Sequence, residues 1–329
     1  MNTNKKLGLG GATFGGSKNN NKLISRKIFG NVSIENSIEL IEYAFKNGIK
    51  IFDTSPLYGA GKSELSYGNA LKNLNRTEFF ITSKCGRLLR SKNSKKPPSE
   101  DSIINDKVET IFDYSEEGIR NSVYESLERL NLDYLDSLLL HDPDQANMEE
   151  EAIESAFPAM LKMKDEGIVK NIGCGINQWE MPLRFYDNFH LDNVLLAGRY
   201  TLLENSSSKF FMEKSQSLKT MITIGGPFNS GILARDLNSP VSYNYEVAPE
   251  SLINKAKEIE KITFKYNISL KSAALNFLLK DEKVTYVVPG MSSKKEIDEN
   301  IKISQEVIPN ELWEAVSYTH LTLPTKRIV

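Results

Sequence analysis

The sequence predicts a single-domain α/β chain folded as a (β/α)8 barrel, on three observations. Short, almost wholly apolar runs alternate with amphipathic segments eight times along the 329 residues. Strands covered on both faces need such continuous apolar runs rather than strict alternation. The length suits one barrel of about 250 residues with insertions, and no linker-like stretch divides the chain.

Taken in order, the expected strands are Leu7–Thr13, Ile49–Asp53, Phe79–Lys84, Asp136–His141, Val169–Gly175, Asn193–Gly198, Met221–Gly226 and Thr285–Pro289. Helical patterns lie between them. Ser33–Asn47 puts Ile34, Ile38, Ile41 and Phe45 on one face and stops at Gly48, a good residue just past a helix end. Ser115–Leu130 carries Ile119, Val123, Leu127 and Leu130, Glu149–Glu166 ends at Gly167, and Pro249–Tyr266 and Ser269–Leu279 precede the eighth strand. The competing fold, a doubly wound sheet, needs a glycine fingerprint opening its first helix. Gly8, Gly10 and Gly11 look like one, but a polar stretch, Gly15–Asn31, separates them from the next helical pattern.

Two segments stand apart. Gly86–Asp113 reads as a long loop leaving the C-terminal face of the barrel, where such loops serve function or are disordered. Val316–Thr325 resembles a translated sequencing adapter, so a barrel domain over 1–315 and a foreign tail over 316–329 are expected. The chain starts almost at its first strand, which leaves the barrel bottom uncovered in this reading.

The formal charge of −2 (41 Lys and Arg, 43 Asp and Glu) argues against a nucleic-acid surface. No apolar run is long enough to cross a membrane and no secretory signal is visible, so a cytoplasmic protein is expected. Cys85 and Cys174 fit no metal spacing and read as reduced core thiols, and no metal-ligand cluster appears. Nothing in the pattern selects between a monomer and a homo-oligomer.

The chemistry gathers at strand ends. Asp53, Lys84 and His141 close the second, third and fourth strands, and Tyr58 follows five residues after Asp53. Each alone has an ordinary structural reading. Together, four titratable groups at one barrel mouth form a candidate site, because buried Lys and Asp are costly unless paired.

The motifs FDTSPLYGAGKSE, ITSKCG, LLLHDPD, GCGINQWE and VVPG…EN, in this order from Leu7 to about Ala315, resemble the aldo-keto reductases. The resemblance implies a catalytic tetrad of Asp53, Tyr58, Lys84 and His141, with hydride passing between a nicotinamide and a carbonyl carbon. A phenol with pKa near ~10 is a poor proton carrier at neutral pH. A lysine cation beside Tyr58 would lower that value, Asp53 would hold the lysine, and His141 would orient the substrate oxygen. The resemblance also implies cofactor contacts. Asn177 would hold the carboxamide and Tyr200 would stack on the nicotinamide. Gly225, Gly226, Pro227, Asn229, Gly231 and Leu233 would line the pyrophosphate, and Gly290, Ser292, Glu296 and Asn300 the adenosine end.

Relatives that take a 2′-phosphate carry cations where this chain has Gly290, Met291 and Glu296. A carboxylate there should repel the phosphate, so NAD is the expected cofactor; Lys294 and Lys295 leave NADP as the alternative. LLAGRYTLLE and GGPFNSGILA further resemble a branch that holds aldose 1-dehydrogenases and a pyridoxal 4-dehydrogenase. Oxidation of a sugar hemiacetal at C1 to the lactone is then implied, with Trp179 and Arg87 as candidate sugar contacts. Two other readings stay open: a pyridoxal or general carbonyl oxidoreductase, and a nicotinamide-binding subunit that reports redox state.

Overall fold

The computed structural model describes residues 5–14, 32–92, 94–205, 209–244 and 246–322. The polar stretch Gly15–Asn31 falls outside the described residues, as do residues 323–329 of the expected tail.

Eight parallel strands run in sequence order: β1 (Leu9–Gly10), β2 (Ile51–Asp53), β3 (Phe80–Cys85), β4 (Ser137–His141), β5 (Ile172–Ile176), β6 (Asn193–Ala197), β7 (Met221–Gly225) and β8 (Tyr286–Val288). The sheet closes on itself. Leu7 and Gly10 bridge to Val287 and Gly290, and the Gly8 and Gly10 amides donate to the carbonyls of Val287 and Pro289 at 2.8 and 2.9 Å. After β1 the chain makes a short turn, Gly11–Thr13, and the first described helix, Ile34–Lys46, starts later. This closed ring of neighbours excludes the doubly wound alternative.

Inside the barrel, Ile51, Leu139, Leu195 and Val288 meet in one layer, with Ala197 against it. They come from β2, β4, β6 and β8, the alternate strands that a barrel of this kind uses for each layer. Side chains repeat every two residues along a strand. Asp53 and His141 therefore stand directly above Ile51 and Leu139, at the mouth. Close packing of the strands dictates one glycine: a Cβ on Gly173 would lie 1.6 Å from the Asn193 carbonyl oxygen.

Several of the helices begin where serine caps them. Ser33, Ser115 and Ser269 each accept the amide three residues on, at 3.2, 3.0 and 3.1 Å. Gly48 has φ +92°, as a residue just past a helix end should. The expected helix Glu149–Glu166 is interrupted. A π turn, Ala152–Ala156, precedes Phe157–Asp165, because Pro158 has no amide to donate and its ring crowds the preceding turn.

The expected long loop is folded. Arg87–Ser91 and Val108–Phe112 form an antiparallel ribbon, and a short helix, Glu100–Ile104, joins its ends. Leu89, Ile103 and Val108 bury themselves against Leu65, and Lys62 ties the ribbon down through Asp106 at 2.8 Å. These are long-range contacts that local composition does not carry.

The expected boundary at Ala315 falls within a helix, Asn310–Thr322. Val316 is 3 % exposed and packs with Ile308 and Leu312 in a second apolar cluster, beneath Ile232 and Leu233. Position 316 follows 312 by four residues, so a continuing helix places both on one face. No helix among the described residues is long and apolar enough to cross a membrane.

Candidate functional site

Strand ends bring the four mouth residues together. Lys84 is 1 % exposed, and its Nζ donates to both Asp53 carboxylate oxygens at 2.9 and 3.0 Å and to the Thr54 carbonyl at 2.8 Å. All three ammonium protons thus have acceptors. Gly175 makes room for this side chain: a Cβ there would touch the Lys84 Cε at 3.4 Å.

Tyr58 enters from the turn that follows β2. Gly59, Ala60 and Gly61 all take left-handed backbone (φ 59°, 53° and 98°), a sharp bend with strain at the one alanine. The bend presents the Tyr58 ring to Lys84, whose Nζ lies 4.5 Å from the ring centroid. His141 meets the same ring edge-on, with centroids 5.9 Å apart and planes at 89°.

His141 is 5 % exposed and its Nδ1 is 3.0 Å from the Ser55 hydroxyl. Ser55 already accepts the Leu57 amide at 3.1 Å, so its own proton is free to go to Nδ1. With the Ser55 proton given to Nδ1, the proton of the neutral ring sits on Nε2, which lies 3.6 Å from Asp142 Oδ2. Burial, with the cations Lys84 and Arg87 nearby, holds the imidazole well below its ordinary pKa. Burial also pushes the Asp53 carboxyl up, and Lys84 pulls it back.

The expected cofactor contacts separate into two groups. Asn229 is 3 % exposed, and its side-chain amide is paired inside the chain: its Nδ2 donates to the Gly198 carbonyl at 3.0 Å and its Oδ1 accepts the Thr201 hydroxyl at 2.5 Å. Leu233 is wholly buried in the second apolar cluster, and Met291 is fully buried too. Gly290 lies against Thr13. Gly225 ends β7; Gly226 beyond it is exposed at φ +56°, ahead of buried Pro227, and Gly231 takes φ +101°. Tyr200 packs its ring on Phe277 at 5.5 Å and donates its hydroxyl to Asp281.

At the start of the helix Lys294–Ser304, Ser293 caps the Glu296 amide at 3.2 Å. The Glu296 carboxylate reaches back to the Ser292 amide and hydroxyl at 2.6 and 3.0 Å. The spacing S-x-x-E is that of a capping box, though the carboxylate meets the amide of Ser292, one residue before the cap, and not that of Ser293. Asn300, one turn on, is 2 % exposed, and its Oδ1 is buried without a hydrogen-bond partner. An orphaned acceptor of this kind fits a site built for a donor that the chain does not itself supply.

Of the candidate sugar contacts, Trp179 is half-buried against the core at the start of the helix Glu180–Phe185. Arg87 and Asn177 both bind Asp142, at 2.9 and 3.2 Å. Sequence reasoning missed Thr54, Ser55 and Asp142, although all three sit inside the motifs it singled out.

Comparison with known proteins identifies the family. Residues 6–318 match the profile of the aldo/keto reductase family. The D-threo-aldose 1-dehydrogenase of Pseudomonas sp. is 34 % identical over 303 residues, covering 91 % of this chain and 92 % of that protein. The pyridoxal 4-dehydrogenase of Microbacterium luteolum is 30 % identical over 324 residues, covering 93 % and 91 %. A glycerol dehydrogenase structure from Gluconobacter oxydans has the same fold, with a TM-score of 0.74 at 19 % identity over 98 % of this chain and 94 % of that one. The chain belongs to the aldo/keto reductase family and is an NAD(P)-dependent oxidoreductase.

Proposed function

We propose that this oxidoreductase oxidises the hemiacetal carbon of an aldose, C1, to the lactone, with NAD+ preferred over NADP+. The observation that carries the reading is a lysine cation, neutralised by a buried aspartate, set against a half-buried tyrosine that also meets a neutral histidine.

The roles follow from charge. Lys84 favours the Tyr58 phenolate by placing a fixed cation beside it in a site shielded from water. Tyr58 takes the proton of the C1 hydroxyl as the base. His141, neutral and with its proton on Nε2, donates to the same oxygen and keeps it in place. Asp53 is a positioning residue: it holds Lys84 charged and oriented. The bound nicotinamide supplies the hydride acceptor, so the C1–H electron pair leaves as the C1–O double bond forms.

Asn177 and Tyr200 would flank the nicotinamide, Tyr200 with its ring tethered through Asp281. The exposed Gly226 backbone would lie along the pyrophosphate, and the orphaned Asn300 Oδ1 would accept the adenine amino group. Glu296 supports the preference for NAD+. Its carboxylate already occupies the Ser292 donors at the helix start, where an added 2′-phosphate would meet a like charge.

The test is nicotinamide reduction by the full chain with NAD+ or NADP+ against L-fucose, D-arabinose, L-galactose and pyridoxal. Turnover of a sugar with NAD+ supports the proposal. The likeness to a pyridoxal 4-dehydrogenase favours one other reading, and turnover of pyridoxal alone would replace the proposal with it. Tight cofactor binding with no turnover would favour a redox-reporting subunit.

A further inference from the structure

Beside the four mouth residues lies a second polar cluster centred on Asp142, whose Oδ1 also accepts from Asn177 Nδ2 at 3.2 Å. Asp142 follows His141 at the end of β4, in left-handed backbone (φ 48°, ψ 55°), and its amide donates to the Gly175 carbonyl at 2.9 Å. Strained backbone at a non-glycine residue persists only where its surroundings hold it. Its carboxylate is nearly closed off from solvent and lies 3.6 Å from His141 Nε2. Arg87 Nη2 donates to the same Oδ2 at 2.9 Å and to Gln145 Oε1 at 3.2 Å, while the guanidinium lies 4.4 Å over the Phe112 ring. Arg87 Nε and Asp144 Oδ1 are buried without a hydrogen-bond partner.

We infer that Asp142, positioned by Arg87, binds the hydroxyl group on the carbon next to the reacting one, which makes 2-hydroxylated aldoses the preferred substrate class. The inference rests on the aldose reading above. The reacting oxygen has to lie within hydrogen-bond reach of Tyr58 and of His141 Nε2. His141 Nδ1 is committed to Ser55, so Nε2 is the nitrogen that meets substrate. A group one carbon away then comes up against the carboxylate adjoining that nitrogen. In an aldose that group is the C2 hydroxyl, which is both a donor and an acceptor. Asp142 accepts its proton, and Arg87 holds that carboxylate in place through Nη2 at 2.9 Å. The Phe112 ring and Gln145 hold the guanidinium in place beforehand, so little ordering is left to binding. The charges of Asp142 and Arg87 cancel, which suits a neutral polyol and leaves no free cation here for an acid or a phosphate ester.

The experiment compares kcat/KM with NAD+ for an aldose that the chain accepts and for its 2-deoxy analogue, in the unmodified chain and in Asp142→Asn and Arg87→Met. Asparagine tolerates left-handed backbone, and methionine keeps the stem against Phe112, so both variants should fold. The unmodified chain should prefer the aldose over its 2-deoxy analogue by about 10- to 100-fold, the size of a hydrogen bond to a charged group. Each variant should bring that ratio close to one. A ratio that survives both substitutions, or an unmodified chain that does not discriminate, overturns the inference while leaving the aldose reading intact. Failure of the unmodified chain on every aldose refutes the aldose reading itself.

Discussion

Lys84 and Asp53 face each other across β2 and β3, with the ammonium 2.9 and 3.0 Å from the two carboxylate oxygens and the side chains only 1 % and 5 % exposed. An ion pair so buried is coupled: either partner alone is far costlier than both or neither. Asp53→Asn should therefore destabilise the chain by about 3–5 kcal/mol, because it strands a buried cation. Asp53→Asn combined with Lys84→Met should cost less than Asp53→Asn alone. Urea unfolding of the three proteins checks this, and additive losses would contradict it.

Tyr58→Phe removes one hydroxyl from a half-buried ring and leaves its contacts with Lys84 and His141 in place. We expect kcat/KM to fall by about 10²- to 10⁴-fold, the usual worth of a positioned proton carrier. NAD+ affinity and Tm should stay near those of the unmodified chain. Retained turnover would refute Tyr58 as the base.

His141 and Asp142 make opposite demands as the pH falls. The buried imidazole refuses a proton that the unfolded chain accepts below about 6.5, so stability drops as pH falls through that value. Burial raises the Asp142 carboxyl from 3.8 to about 6, against the pull of Arg87. Between those values the folded chain takes up a proton that the unfolded chain does not, which adds stability as pH falls. Asp142→Asn deletes this gain and, at every pH, the ion pair with Arg87. Its Tm should fall more steeply between about pH 6.5 and 4 than that of the unmodified chain; parallel curves would show that Asp142 does not titrate in this window.

Glu296→Arg should act on two readouts. Loss of the reach to Ser292 should cost about 1 kcal/mol, typical of a helix cap. The ratio of kcat/KM for NADP+ over NAD+ should rise as a carboxylate gives way to a cation. A stability loss with no change in that ratio would leave Glu296 a capping residue only.

Gly173→Ala should yield no folded barrel. Its Cβ would lie 1.6 Å from the Asn193 carbonyl oxygen, and two barrel strands cannot part locally without breaking the ladder between them. Soluble protein with an unchanged Tm would contradict the close approach of β5 and β6.

The amino-acid sequence by itself determined the order of strands and helices, the serine and glycine punctuation of the helices, and the three strand-end residues and one turn residue of the candidate site. Those signals are local: apolar runs, caps and residues two apart on a strand need no knowledge of distant neighbours. Tertiary structure alone decided that Gly86–Asp113 is a ribbon clamped through Lys62 and Asp106, and that Val316 is a core residue. It also decided that the Asn229 amide pairs with Thr201 and the Leu233 side chain packs in the second cluster, that Glu296 closes a cap, and that Asp142 joins Arg87 to Asn177. Each of these depends on which remote group occupies the space around a side chain. The barrel supplies that arrangement only once its strands have closed, because burial and hydrogen-bond pairing are properties of the packed whole.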